Sequence, residues 1–478
     1  MTELCDLDAV ALRRLIGRRA VSPVELLDSC LARIERVNPA LNAITATCFE
    51  RARREAEAAE HAVKAGEALG PLHGLPVGIK DLQETEGLRT TFGSKLFADH
   101  VPVRDERTVA AVRAAGAVVV GKTNVPEFGA GGNSTNPVYG ATGNPFDPER
   151  TCGGSSGGSA AALATGMTPI ATGSDTGGSL RLPAGFCGIV GHRPTPGLVP
   201  SERRQAGWAP ISVLGPMGRT VADTALLFQA MVASDPRDPL SPPDGTPGGF
   251  FPLPEADLSD LRVAVSTDLG FAPVDSRIRE TFGKAVARFR GAFGSVEEVD
   301  PPLDDADAIF DVLRALQFVA AHGKRTPEQK ALLGPNIVAN VEQGLAMSLS
   351  DVAEAQAAHT ALYRRFLRFM DDYDLLICPT VAVPPFPHRQ LTLSEIDGKP
   401  ARTYFHWLAL TYGLTLTAHP VISLPCGLDP TGTPFGIQLC GKRGGDRRLL
   451  ALAAALEAHL AALPGLGRPL PDLEKLTR

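Results

Sequence analysis

Residues 153 to 181 bring together the side chains best suited to chemistry. They read Gly153-Gly154-Ser155-Ser156-Gly157-Gly158-Ser159 and, after a small-residue stretch, Ser174-Asp175-Thr176-Gly177-Gly178-Ser179-Leu180-Arg181. Glycine lets backbone approach a ligand closely and adopts dihedrals closed to other residues, so Gly177-Gly178 before Ser179 suits a loop whose amides converge on an oxygen anion. A flexible Gly/Ser tether is the bland alternative. Against it, Ala160 to Ala164 is helix-forming and Met167 to Ala171 is mostly apolar, which reads as structured core. A serine hydroxyl used as a nucleophile needs a proton acceptor. None of the ten histidines stands in a Gly-x-Ser-x-Gly or comparable context with a matching acid.

The pattern resembles the signature of the amidase signature family, serine hydrolases that act on amides through a Ser-cisSer-Lys triad. The resemblance implies Ser179 as nucleophile and Ser155 as bridging serine, separated by 179 − 155 = 24 positions. It implies Lys80, within Gly74-Leu75-Pro76-Val77-Gly78-Ile79-Lys80-Asp81, as the base, and a cis peptide between Gly154 and Ser155. Ser156 is expected to be a structural hydroxyl. Separated elements match in order, among them Gly121-Lys122-Thr123-Asn124, Gly143-Asn144-Pro145, Cys187 to Gly191, Gly215-Pro216-Met217, and His419 to Pro425 followed by Gly436-Ile437-Gln438.

In the implied relay, neutral Lys80 takes the proton of Ser155 and Ser155 takes that of Ser179; the chain then reverses to protonate the departing amine. A lysine at its ordinary pKa of about 10.4 would be charged, so the site must depress it. Val77 and Ile79 suggest an apolar strand end that does so. An isolated lysine there would read as a surface residue paired with a carboxylate; its register with both serines gives it the catalytic role. Asp81 alternates to the other face and is expected to organise structure. The amides of Thr176, Gly177, Gly178 and Ser179 are the expected oxyanion hole, braced by a buried Asp175–Arg181 ion pair.

For the substrate, the resemblance supplies two contrasts. The amidotransferase members that act on charged tRNA hold an aspartate near the place of Leu408, and malonamate-type members hold an arginine at the place of Leu182. Their replacement by leucine predicts a mostly neutral, aromatic or hydrophobic amide. A carbamate hydrolase with the same triad is the sibling reading, and the A subunit of a glutamine-dependent tRNA amidotransferase the second alternative. Phe128, Asn133, Tyr139, Trp208 and Trp407, with Leu182 and Leu408, are expected to line the substrate pocket; core packing is the competing reading for Phe128 and both tryptophans.

Around these residues, short apolar runs such as 77–79 and 118–120 alternate with helical stretches. That alternation predicts an α/β fold, one large domain over 1–478 with a central mixed β-sheet covered by helices on both faces. A helical segment is expected at 1–68, with Ser22-Pro23-Val24-Glu25 as a helix start. The catalytic core follows at 69–234, a Pro/Gly-rich loop at 235–256, a helical substrate-shaping region at 257–372, and C-terminal strands with a helix at 373–478.

With 47 basic against 53 acidic residues and a net charge of −6, the 478-residue chain offers no basic field for nucleic acid. Its eight cysteines form no Cys-x-x-Cys pair, so neither a zinc site nor a disulfide framework is expected. No metal and no cofactor are expected. No secretory signal or long apolar run is visible, which predicts a cytoplasmic protein without a membrane partner. The expected partner is a small-molecule amide or carbamate, with a homodimer left open.

Overall fold

The computed structural model describes residues 3–243 and 248–477. Eleven strands form one mixed sheet flanked by helices: β1 (Ile44–Thr47), β2 (Pro76–Lys80), β3 (Val118–Thr123), β4 (Ile170–Asp175), β5 (Val190–Arg193), β6 (Val213–Gly218), β7 (Arg262–Val265), β8 (Ser295–Glu298), β9 (Leu375–Pro379), β10 (Val421–Leu428) and β11 (Pro434–Cys440). Their spatial order is β1-β3-β2-β4-β6-β5-β10-β11-β9-β7-β8. β2 lies parallel to both β3 and β4, and β7 runs parallel to β9 and β8; the remaining pairings are antiparallel. All residues of β2, β3, β9 and β11 are buried, as continuous apolar runs in central strands require.

The 1–68 segment, expected to be helical, also carries β1, while the Pro23–Leu41 helix begins where the sequence predicts. Ser22 caps the Pro23–Leu41 helix, accepting from the amide of Val24, while the Glu25 carboxylate reaches back to the Ser22 amide in a capping box. The Gly157–Ala164 helix lies so close to the end of β3 that a Cβ on Gly158 would sit 2.2 Å from the amide nitrogen of Asn124. No other residue fits there, and this approach sets the serines preceding the helix against the sheet.

Residues 244–247 of the Pro/Gly-rich loop lie outside the described residues. Beyond them the chain returns to the core at Phe250, whose ring packs on Phe228 at 4.7 Å. The region 257–372 is helical apart from β7 and β8, and its Ala306–His322 helix forms one wall of the cavity described below. All eight cysteines are free thiols. Among the described residues no helix is long and apolar enough to cross a membrane.

Candidate active site

The parallel strands β2 and β4 end side by side, with Gly78 opposite Ala171, so that Lys80 and the Ser174–Asp175 end of β4 emerge at the same edge. Carboxyl ends of parallel strands are where α/β sheets place ligands. The Gly154–Ser155 peptide is cis. Lys80 is fully buried, and its Nζ lies 2.8 Å from Ser155 Oγ, 2.8 Å from Ser156 Oγ and 2.9 Å from Ser174 Oγ. Burial lowers its pKa to about 7, against the opposing pull of the Asp175 carboxylate.

The two adjacent serines differ in what else they touch. Ser156 is enclosed, and its hydroxyl donates to the carbonyl of Ser174 at 3.4 Å. Ser155 lines a cavity of about 630 Å³ together with Ser174, Thr176 and Ser179. The Ser179 hydroxyl makes no hydrogen bond among the described residues.

Asp175 organises the loop between the serines. Its carboxylate accepts from the amides of Gly178 at 2.9 Å and Leu180 at 3.2 Å, and from Arg181 Nε and Nη2 at 3.0 Å each. Arg193, from β5, adds a second guanidinium at 3.2 Å, a partner that no local pattern in the sequence announces. Burial alone would raise the Asp175 pKa, but Arg181 and Arg193 outweigh it and hold the carboxyl well below the usual carboxylate range. Thr411, on the Ala409–Leu416 helix, donates to the carbonyl of Gly177 at 2.6 Å. A Cβ on Gly178, whose φ is +120°, would fall 2.2 Å from Thr411 Oγ1, so only glycine fits. Of the four amides expected to hold an oxyanion, that of Gly178 is therefore committed to Asp175. Those of Thr176, Gly177 and Ser179 have no partner in the loop among the described residues.

An aromatic box walls the cavity. Phe128 stands 6.2 Å from Phe92 and 6.0 Å from Phe97, and its other side packs on His322 at 4.5 Å. Asp81 helps build this wall, accepting from the hydroxyl of Thr91 at 2.6 Å and from the amide of Phe92 through its carbonyl. Burial, then Arg325, depresses the His322 pKa to about 4 and keeps the ring neutral. Burial pushes Glu106, another lining residue, up to about 8.

Of the residues expected to contact substrate, only Phe128 lines this cavity. The others lie outside it. Trp208 is 79% exposed. Trp407 is core, between Phe386 at 5.1 Å and Phe186 at 6.3 Å, and Leu182 and Leu408 are buried in the same apolar cluster. Asn133 is occupied by the carbonyls of His388 and Gln390 and the hydroxyl of Thr151. Tyr139 lies under the guanidinium of Arg89. The fold carries them into the apolar core, onto neighbouring backbone and side chains, or to the surface. What replaces them comes from the Ala306–His322 helix, which carries no recognisable motif.

The site thus sets a buried lysine among serine hydroxyls, beside a glycine loop whose amides of Thr176, Gly177 and Ser179 are free of loop partners among the described residues. The amidase family's sequence profile matches residues 25–450. The chain is 34% identical to an acylamidase of Rhodococcus erythropolis over 95% of both chains. It is 36% identical to the A subunit of the glutamyl-tRNA(Gln) amidotransferase of Thermus thermophilus, over 94% of this chain and 98% of that one. The fold superposes on a bacterial aryl acylamidase of the amidase signature enzymes with a TM-score of 0.86 and 28% identity, covering 97% of this chain and 99% of that one. The chain belongs to the amidase family and is an amide-hydrolysing enzyme.

Proposed function

We propose that the enzyme cleaves amides through an acyl-enzyme on Ser179, with neutral Lys80 as base and Ser155 as the bridge between them. The observation that carries this is the 2.8 Å contact of the buried Lys80 Nζ with Ser155 Oγ, the serine that shares the cavity with Ser179. Near its pKa of about 7, half of Lys80 is neutral and able to accept the Ser155 proton as that hydroxyl takes the proton of Ser179. Ser179 Oγ attacks the carbonyl carbon, and the negative charge gathers on the former carbonyl oxygen. The free amides of Thr176, Gly177 and Ser179 stabilise it, and Thr411 and Asp175 hold the loop that aims them. The proton returns along the same path to the departing amine, and water then hydrolyses the ester by the reverse use of Lys80. Ser156, enclosed and donating to Ser174, is a structural partner of Lys80.

The aromatic box favours an aryl or hydrophobic group next to the scissile bond, in keeping with the acylamidase relative. Leu182 and Leu408, the basis for expecting a neutral substrate, lie outside the cavity, so the requirement for neutrality falls. Glutamine is a poor fit, because the Glu84 carboxylate is occupied by Arg203 at 2.6 Å and by His100 at 3.3 Å, leaving no free anion for an α-ammonium. Reaction with a fluorophosphonate followed by peptide mapping tests the assignment: the adduct belongs on Ser179, and equal labelling of Ser179→Ala overturns it.

A further inference from the structure

The substrate cavity contains cations without counter-ions. Four arginines line it, and two of them are paired: Arg203 with Glu84 at 2.6 Å and Arg204 with Asp238 at 2.5 Å. Arg314 and Arg325 form no ion pair among the described residues. Arg314 is only 6% exposed and sits on the cavity side of the Ala306–His322 helix. Its guanidinium is wedged between the rings of Phe318 and Phe405, each 4.9 Å away, and its Nη2 donates to Tyr404 Oη at 2.5 Å. Among the described residues the buried Nε has no partner, and Nη1 makes no hydrogen bond and is not fully enclosed. Aromatic faces offset part of the cost of burying this charge, but an enclosed guanidinium without an anion leaves a desolvation penalty that a ligand anion would relieve.

The remaining titratable groups around the cavity do not supply that anion. Glu84 is already shared between Arg203 and His100, and Glu106, pushed up by burial, accepts from the amide of Glu84. His322, between the two arginines along the chain, is kept neutral. The cation is fixed in place by aromatic packing and a tyrosine hydroxyl, which is how a recognition group is preorganised.

We propose that Arg314, with Arg325 as a second cation, forms a carboxylate-binding subsite, so that the preferred substrate is an amide with an aromatic or apolar body bearing one carboxylate. This rests on the hydrolytic reading of the Ser179 site. A single carboxylate oxygen suits the one open nitrogen of Arg314, Nη1, where a phosphate dianion would call for more donors than that nitrogen provides. The carboxylate belongs to either the acyl or the amine portion, and the test covers both.

The test uses two matched pairs followed by release of the aryl amine: 4-acetamidobenzoate against 4-acetamidobenzamide, and N-phenylglutaramate against N-phenylglutaramide. The wild-type enzyme is expected to favour the carboxylate member of at least one pair by about tenfold or more in kcat/KM, mostly through KM. Arg314→Gln is expected to lower kcat/KM for the carboxylate member about tenfold more than for its neutral partner, and Arg314→Lys to keep part of the preference. Calorimetric binding of the same pairs to Ser179→Ala gives a readout independent of turnover. If no amide is hydrolysed, the hydrolytic reading fails, while the binding comparison still decides the subsite. Equal or undetectable binding of the carboxylate members, or an Arg314→Gln loss shared equally by charged and neutral members, overturns the subsite alone.

Discussion

Replacing Lys80 by methionine should separate activity from stability in a way that depends on pH. Lys80 is fully buried, and its pKa falls from an ordinary 10.5 to about 7, mainly through burial. The folded pKa lies below the unfolded one, so between pH 7 and 10 the unfolded chain binds more protons at this site than the folded one. Stability owed to this group therefore rises with pH through that window, and the destabilisation is complete below pH 7, where both states are protonated. Integrating from pH 7 to 9 gives a gain of about 2 kcal/mol for the wild type that Lys80→Met lacks. Other groups titrate in both proteins and cancel in the difference. Urea unfolding of the two proteins at pH 7, 8 and 9 measures it directly, and the same pKa should appear as an acid limb in kcat/KM, with about tenfold lost between pH 8 and pH 6. A stability difference constant from pH 7 to 9, or a rate flat down to about pH 5, would refute a lysine that titrates near neutrality and serves as base.

The other expectations concern the loop, the relay and the corrected pocket. Ser155→Ala and Lys80→Ala should each cost orders of magnitude in kcat, and the double variant should be little worse than the worse single one; additive losses in steady-state kinetics would separate their roles. Gly178→Ala drives a Cβ against Thr411 Oγ1 and should cut kcat by about a hundredfold or more, with Thr411→Val producing a smaller loss of the same kind; an unchanged kcat for both would deny the loop its part in holding the oxyanion. Trp208→Ala should leave kcat/KM within about twofold, since the ring is 79% exposed, and a large rise in KM would restore it to the pocket. Leu408→Asp places a carboxylate in the apolar core and should lower the Tm without shifting specificity toward ammonium-bearing amides; a thermal melt and a glutaminase assay read the two outcomes separately.

What was legible in the sequence, and what was not, follows from how far along the chain each part of the site is drawn. Ser174, Asp175 and Ser179 lie within one strand–turn unit, Ser155 stands before the helix that leads into that strand, and Lys80 ends the strand beside it, so each sits in a short motif that the family resemblance could pick out. The mixed sheet was readable for a related reason: continuous apolar runs such as Val118-Val119-Val120 mark strands buried on both faces. The substrate wall was hidden because it is assembled by tertiary packing alone. Phe92 and Phe97 come from the turn after β2, Phe128 from the turn after β3, and Arg314, Phe318 and His322 from a helix about 130 residues beyond Ser179. That helix shows only an apolar face with an arginine in it, a pattern that ordinarily marks a snorkelling side chain. Arg193 was hidden likewise, since only the pairing of β5 and β4 to either side of β6 brings its guanidinium to Asp175. Chemistry at adjacent strand ends is written in short motifs, whereas selectivity is written across the fold, which is why the tryptophans, chosen for their rarity, and the leucines, chosen by resemblance, lie in the core or at the surface, and why Arg314, without an ion pair among the described residues, emerged only from its neighbours.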